Sequence, residues 1–121
     1  MESPSKELLS AILNKKVTKI VMELERDYNP CLYLSIEDNK EEKFLFLNFY
    51  ELEYLCKVWA RRYDCELYSG IDDADKSICY VVESDMTTEE AVETDNYENS
   101  VIIACQNLLD KIKDENNVYE Y

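Results

Sequence analysis

Residues 31–63, CLYLSIEDNKEEKFLFLNFYELEYLCKVWARRY, change their hydrophobic period part-way along, and that change decides the fold class. Cys31 to Ile36 alternates, with Leu32, Leu34 and Ile36 on one face, which predicts a strand. Glu37 to Lys43 is polar and charged and reads as a hairpin loop. Phe44-Leu45-Phe46-Leu47 is apolar on both faces, as expected of a central strand. From Asn48 onward the period becomes helical, and Leu52, Leu55, Cys56, Trp59, Ala60 and Tyr63 fall on a single stripe. Asn48 and Glu51 have the spacing of a capping box, which satisfies two orphan backbone donors at once. Lys57, Arg61 and Arg62 lie off the stripe and towards the C-terminal end, where cations suit the helix dipole.

Upstream, residues 5–14 carry leucine, alanine and isoleucine at helical spacing, with Pro4 placed for a first turn and Asn14 for a stop. Val17 to Leu24 alternates through Ile20, Met22 and Leu24 and predicts a strand, with a helix continuing from residue 5 as the competing reading. Asp27-Tyr28-Asn29-Pro30 is a turn. Downstream, Cys65 to Tyr68 predicts a strand with its turn at Gly70, and Ser77 to Glu83 predicts another. Residues 84–95 form an acidic connection. Asp95 and Glu98 repeat the capping-box spacing ahead of a helix whose stripe is Val101, Ala104, Cys105, Leu108 and Ile112. Residues 114–121 have the composition of a frayed tail. The predicted order is α-β-β-β-α-β-β-α. It describes one α+β domain over residues 1–121, a mostly antiparallel sheet of about five strands covered by the two longer helices.

Composition narrows the function. With 121 residues and 46% hydrophobic content, the chain has material for one core and is too apolar for a disordered segment. One glycine and two prolines argue against phosphate-cradling loops, and neither GxGxxG nor GxxxxGK[ST] occurs. The balance of 13 Lys+Arg against 27 Asp+Glu sets a net charge of −14. Such a charge repels nucleic-acid backbones and anionic lipid and favours basic partners. No stretch approaches the roughly 20 apolar residues that span a bilayer. The opening residues lack a basic n-region and an apolar core, so the expected location is cytoplasmic.

Histidine is absent. That removes histidine-activated serine and cysteine nucleophiles, histidine acid-base catalysis and nearly all zinc or iron sites. The five cysteines, Cys31, Cys56, Cys65, Cys79 and Cys105, form no CxxC pair and sit in or beside apolar runs, as reduced core residues do. Ten tyrosines suggest base stacking, but stacking platforms come with a basic groove, and this chain is acidic. Tyr33, Tyr54, Tyr63, Tyr68 and Tyr80 instead finish core edges or line a contact surface.

The acid is concentrated. Asp72, Asp73, Asp75, Glu83, Asp85, Glu89, Glu90, Glu93, Asp95 and Glu98 share their segment with one base, Lys76. A dense acidic face can occupy a basic groove on an enzyme, with fast, salt-sensitive association. The candidate partner-binding residues are Asp72, Asp73, Asp75, Asp85, Glu89, Glu90 and Glu93; the alternative is an acidic loop that only keeps the chain soluble. Asp72-Asp73-Ala74-Asp75 also opens like a calcium loop, which makes a small-ligand or divalent-metal domain the runner-up. That loop lacks the glycine at its sixth position, and its twelfth is Ser84 in place of glutamate.

Two helical segments carry a resemblance. Cys56-Lys57-Val58-Trp59-Ala60 is similar to a CKEWA helix, and Ser100 to Leu109 (SVIIACQNLL) is similar to an AIxKACEWIL helix. Both recur in short uncharacterised proteins of bacterial prophages, and KELLSAILNK at residues 6–15 resembles the opening of the same group. The resemblance covers residues 5–113, with Asn107 where the group has tryptophan. It implies a phage or prophage accessory protein and supplies no catalytic residues. The expectation is therefore a non-enzymatic protein, without cofactor, that binds a basic macromolecule through its acidic face. Inhibitors of nucleic-acid-handling host-defence proteins fall within that class. Self-association through an edge strand or an aromatic surface is a further expectation.

Overall fold

The structure is a computed structural model that describes residues 3–24, 30–71, 77–83, 92–94 and 97–116. Their order is α1 (Lys6–Leu13), β1 (Lys16–Leu24), β2 (Pro30–Asp38), β3 (Glu41–Asn48), α2 (Phe49–Arg61), β4 (Cys65–Ile71), β5 (Ser77–Glu83), β6 (Val92–Thr94) and α3 (Tyr97–Asn116). The class is α+β, with antiparallel pairing throughout the described strands. Among the described residues the strands form two sheets of three, β1-β2-β3 and β4-β5-β6, in place of the expected single sheet of about five. The chain gathers into two compact units, one of residues 3–55 and one beginning at Cys56, with the division inside α2.

In the first unit, α1 is capped by Ser5, whose hydroxyl accepts from the Leu8 N–H at 3.0 Å. Pro4 thus precedes the cap and is not in the first helical turn, because Ser5 offers the side-chain acceptor that proline lacks. Asn14 ends the helix in the left-handed region at φ 55°, as asparagine tolerates. The stop settles the competing readings of residues 17–24: the chain turns and β1 begins at Lys16. Leu8, Leu9, Ala11 and Ile12 are buried and α1 packs on β1. The buried Ser10 hydroxyl accepts from the Val17 N–H at 2.9 Å and ties the two elements together.

The β2–β3 connection is shorter than the charge pattern suggests. Only Asn39 and Lys40 form the turn, both left-handed at φ 52° and 68°, the geometry whose twist matches a two-residue hairpin. Glu37 and Asp38 therefore belong to β2, and Glu41 to Lys43 belong to β3. Their charges are tolerated in strands because the ends of the hairpin lie in solvent. Asp38 accepts from Lys15 at 2.9 Å and from Lys43 at 3.2 Å.

In the second unit, Gly70 continues β4 opposite Ile78 and makes no turn. Its φ is not positive and a Cβ added there would meet open space, so this is ordinary strand backbone. β6 adds a short strand inside the segment expected to be a connection. The predicted stripe of α3 is buried, Val101, Ala104, Cys105, Leu108 and Ile112, joined by Ile102 and Leu109. The helix packs on β5 and β6 and continues to Asn116, so it takes in the first three residues expected to fray. Residues 117–121 lie outside the described residues.

Candidate functional site

Strand alternation and register build the most distinctive surface of the first unit. In β2, Leu32 and Leu34 point inward and are buried, so Tyr33 and Ser35 belong to the outer face. The register places Val21 opposite Tyr33 and Tyr33 opposite Phe46, and in the next row Lys19 opposite Ser35 and Ser35 opposite Phe44. Two adjacent rows of three thus run across the sheet, Val21–Tyr33–Phe46 and Lys19–Ser35–Phe44. The row beyond them is Lys16–Glu37–Glu42, with Lys16 and Glu37 paired at 3.8 Å.

This face is open. Val21, Tyr33 and Phe46 are 39%, 41% and 43% exposed, and Phe44 is 80% exposed. The Tyr33 and Phe46 rings meet at 5.0 Å between centroids, tilted by 55°, an offset that suits the opposed charges of ring face and ring edge. Between the rows lies a shallow groove of about 410 Å³ lined by Lys19, Val21, Tyr33, Ser35, Phe44 and Phe46. Ser35 is buried in it. The lining has one cation and no nucleophile–base pair. Such a lining can offer ring stacking and burial of apolar area, with Lys19 beside them able to orient a carbonyl or carboxylate.

A second groove, about 390 Å³, starts where β3 ends and is lined by Asn48, Tyr50, Glu51, Tyr54 and Leu55. The expected capping box fixes its shape. The Glu51 N–H donates to Asn48 Oδ1 at 2.9 Å, and the Asn48 N–H donates to Glu51 Oε1 at 3.4 Å. Tyr50 and Tyr54, one turn apart, are both exposed.

Of the acidic residues expected to bind a partner, Glu93 lies in β6, exposed, opposite Ile78. Asp72, Asp73, Asp75, Asp85, Glu89 and Glu90 lie outside the described residues, and with them the calcium-loop reading of Asp72 to Asp75. Among the described residues no group of three or more acids or cysteines is arranged to hold a metal ion. Asp38 has its carboxyl held below the usual carboxylate range by the hydrogen bonds from Lys15 and Lys43.

All five cysteines are buried, and none is in a disulfide. Cys105 has its thiol pushed well above the ordinary range by the hydrogen bond with Cys56, by burial, and by the neighbouring Cys56 and Cys79 thiols. These thiols pack as small hydrophobes. Of the tyrosines singled out by sequence, Tyr33, Tyr54 and Tyr68 are exposed, and Tyr63 packs edge-on to Trp59 at 5.6 Å. The side chain of Tyr80 lies outside the described residues.

The chain matches no family model, no curated protein and no solved structure. Among the described residues, no helix is long and apolar enough to cross a membrane.

The open face is the part that sequence reading missed. Its signal is Phe44-Leu45-Phe46-Leu47, whose apolar character on both faces predicts a central strand. Among the described residues it stands at the edge of its sheet, with β2 on one side only. The apolar character on the outer side is exposed, not covered.

Proposed function

We propose that this protein is a non-enzymatic binding module for a basic protein. In this reading the β1-β2-β3 face provides the apolar seat and the concentrated acid provides charge attraction. The supporting observation is the open row Val21–Tyr33–Phe46 with Phe44 beside it, on a chain of net charge −14. Exposed contiguous apolar surface on a soluble chain marks interaction sites. The charge selects against nucleic acid and for cations. The resemblance of Cys56–Ala60 and Ser100–Leu109 to helices of prophage proteins supports reading such a module as a phage-type accessory factor that acts in the cytoplasm. A basic nucleic-acid-handling defence protein is the partner class.

The test begins with affinity isolation and continues with the purified partner alone. Binding should weaken steeply as salt rises. It should fall at least tenfold with Tyr33→Ser combined with Phe46→Ser, and again with reversal of Asp72, Asp73, Asp75, Glu89 and Glu90 to lysine. Binding that ignores salt and both sets of substitutions would remove this reading.

A further inference from the structure

Among the described residues, β3 is hydrogen-bonded on one side only. β2 pairs with it without interruption from Cys31↔Asn48 to Asp38↔Glu41, and among the described residues no strand lies along its other side. In an edge strand every second residue directs its N–H and C=O away from the sheet, which makes the edge a template for another strand. Proteins usually blunt such edges with lysine, proline or a bulge. The opposite edge strand, β1, has an irregular register between Val17 and Lys19. β3 carries its blunting charges at its start, Glu41 to Lys43, and none within Phe44-Leu45-Phe46-Leu47. Phe44, at 80%, is the most exposed of the large hydrophobic residues described.

We infer that β3 pairs antiparallel with β3 of a second copy, with the two-fold axis at Leu45. Directly opposed residues share a face, so three registers bring the apolar run together. Centring on Phe44 sets Glu42 against Phe46 and Glu41 against Leu47, carboxylates against apolar side chains. Centring on Phe46 sets Phe44 against Asn48 and leaves only five residues, 44–48, in strand pairing. Centring on Leu45 pairs seven residues, 42–48. Phe44 then faces Phe46 of the second copy twice over, Lys43 faces Leu47, and Glu42 faces Asn48. No acid opposes an acid, and the most exposed ring gains an aromatic partner.

The result is a six-stranded sheet in which the row Val21–Tyr33–Phe46 of one copy runs on into Phe44–Ser35–Lys19 of the other. The contact uses the same edge in both copies, so assembly closes at two. Pairing is edge to edge and leaves the outer face open, so this inference does not rest on the proposed partner binding. The two also respond oppositely to salt. Two chains of −14 repel, so screening strengthens the dimer, whereas attraction to a basic protein weakens.

Sedimentation equilibrium over a wide range of protein and salt concentrations tests the pairing. The expected result is a shift from 14.3 kDa towards twice that mass, favoured by salt. Phe44→Lys and Phe44→Ser should each remain monomeric throughout while keeping the circular dichroism of the parent. Under mild oxidation Leu45→Cys should yield a disulfide-linked dimer. Phe44→Cys and the parent, whose own thiols are buried, should not. A parent chain that stays monomeric at the highest concentration and salt overturns the inference. So does a dimer that persists in both Phe44 variants, or linkage through position 44 in place of 45.

Discussion

Both units contain a three-stranded antiparallel sheet, yet the two sheets treat their faces differently. In β4, Cys65 and Leu67 are buried while Glu66 and Tyr68 are exposed, a clean alternation that assigns one face to the core. With Cys79 and Val81 of β5, that face belongs to the core beside α3. In β2 and β3 the outward positions carry Tyr33, Phe44 and Phe46, so apolar surface remains after the inward leucines are buried. Among the described side chains, the first sheet therefore leaves a contiguous aromatic row on its outer face, whereas the exposed apolar residues of the second are Tyr68 and, at the end of β4, Ile71. Spare apolar surface costs solubility, and an acidic chain of −14 offsets that cost.

The contrast can be broken most forcefully in the core of the second unit. Leu109→Ala removes a fully buried side chain from α3 and should cost about 2–5 kcal/mol, read from urea unfolding. Next comes the capping box. Asn48→Ala leaves the Glu51 N–H without its side-chain acceptor and should cost about 1 kcal/mol, seen as a lower midpoint with unchanged slope. Phe44→Ser, on the open face, should change stability by no more than about 0.5 kcal/mol in dilute protein. A loss comparable to Leu109→Ala would mean that the face is a core in disguise.

The smallest effect is expected at the hairpin end. Asp38 has a lowered pKa in the folded chain, so its contribution is present above the unfolded carboxylate value, 3.8, and is lost as pH falls through the lower folded one. Asp38→Asn should therefore flatten slightly the acid limb of stability against pH and leave the neutral region almost unchanged. An unaltered acid limb would show that Lys15 and Lys43 do not favour the ionised carboxylate.

Much of the fold was legible in residue patterns. The Asn48–Glu51 box, the stripe of α3 and the position of β5 follow from local rules, since caps and amphipathic periods are set by neighbours in sequence. The hairpin length was not legible, because charge marks solvent exposure and not the end of pairing. Glu37, Asp38 and Glu41 to Lys43 are exposed or half-exposed and still in strands. Strand order was not legible either. Phe44-Leu45-Phe46-Leu47 is apolar on both sides whether a strand sits at the centre or awaits a partner at an edge. Of the acidic candidates, concentration was readable from the chain, but only Glu93 falls among the described residues.

Trp59 is the only tryptophan and is wholly buried, and its Nε1 finds no hydrogen-bond partner among the described residues. An indole in such surroundings emits at short wavelength, and its signal belongs to the unit that begins at Cys56. Tyr33, Tyr50 and Tyr54 lie in the other unit. Selective excitation at the red edge therefore watches one half of this molecule melt, while tyrosine absorbance includes the other. A chain this small comes with a built-in two-colour thermometer.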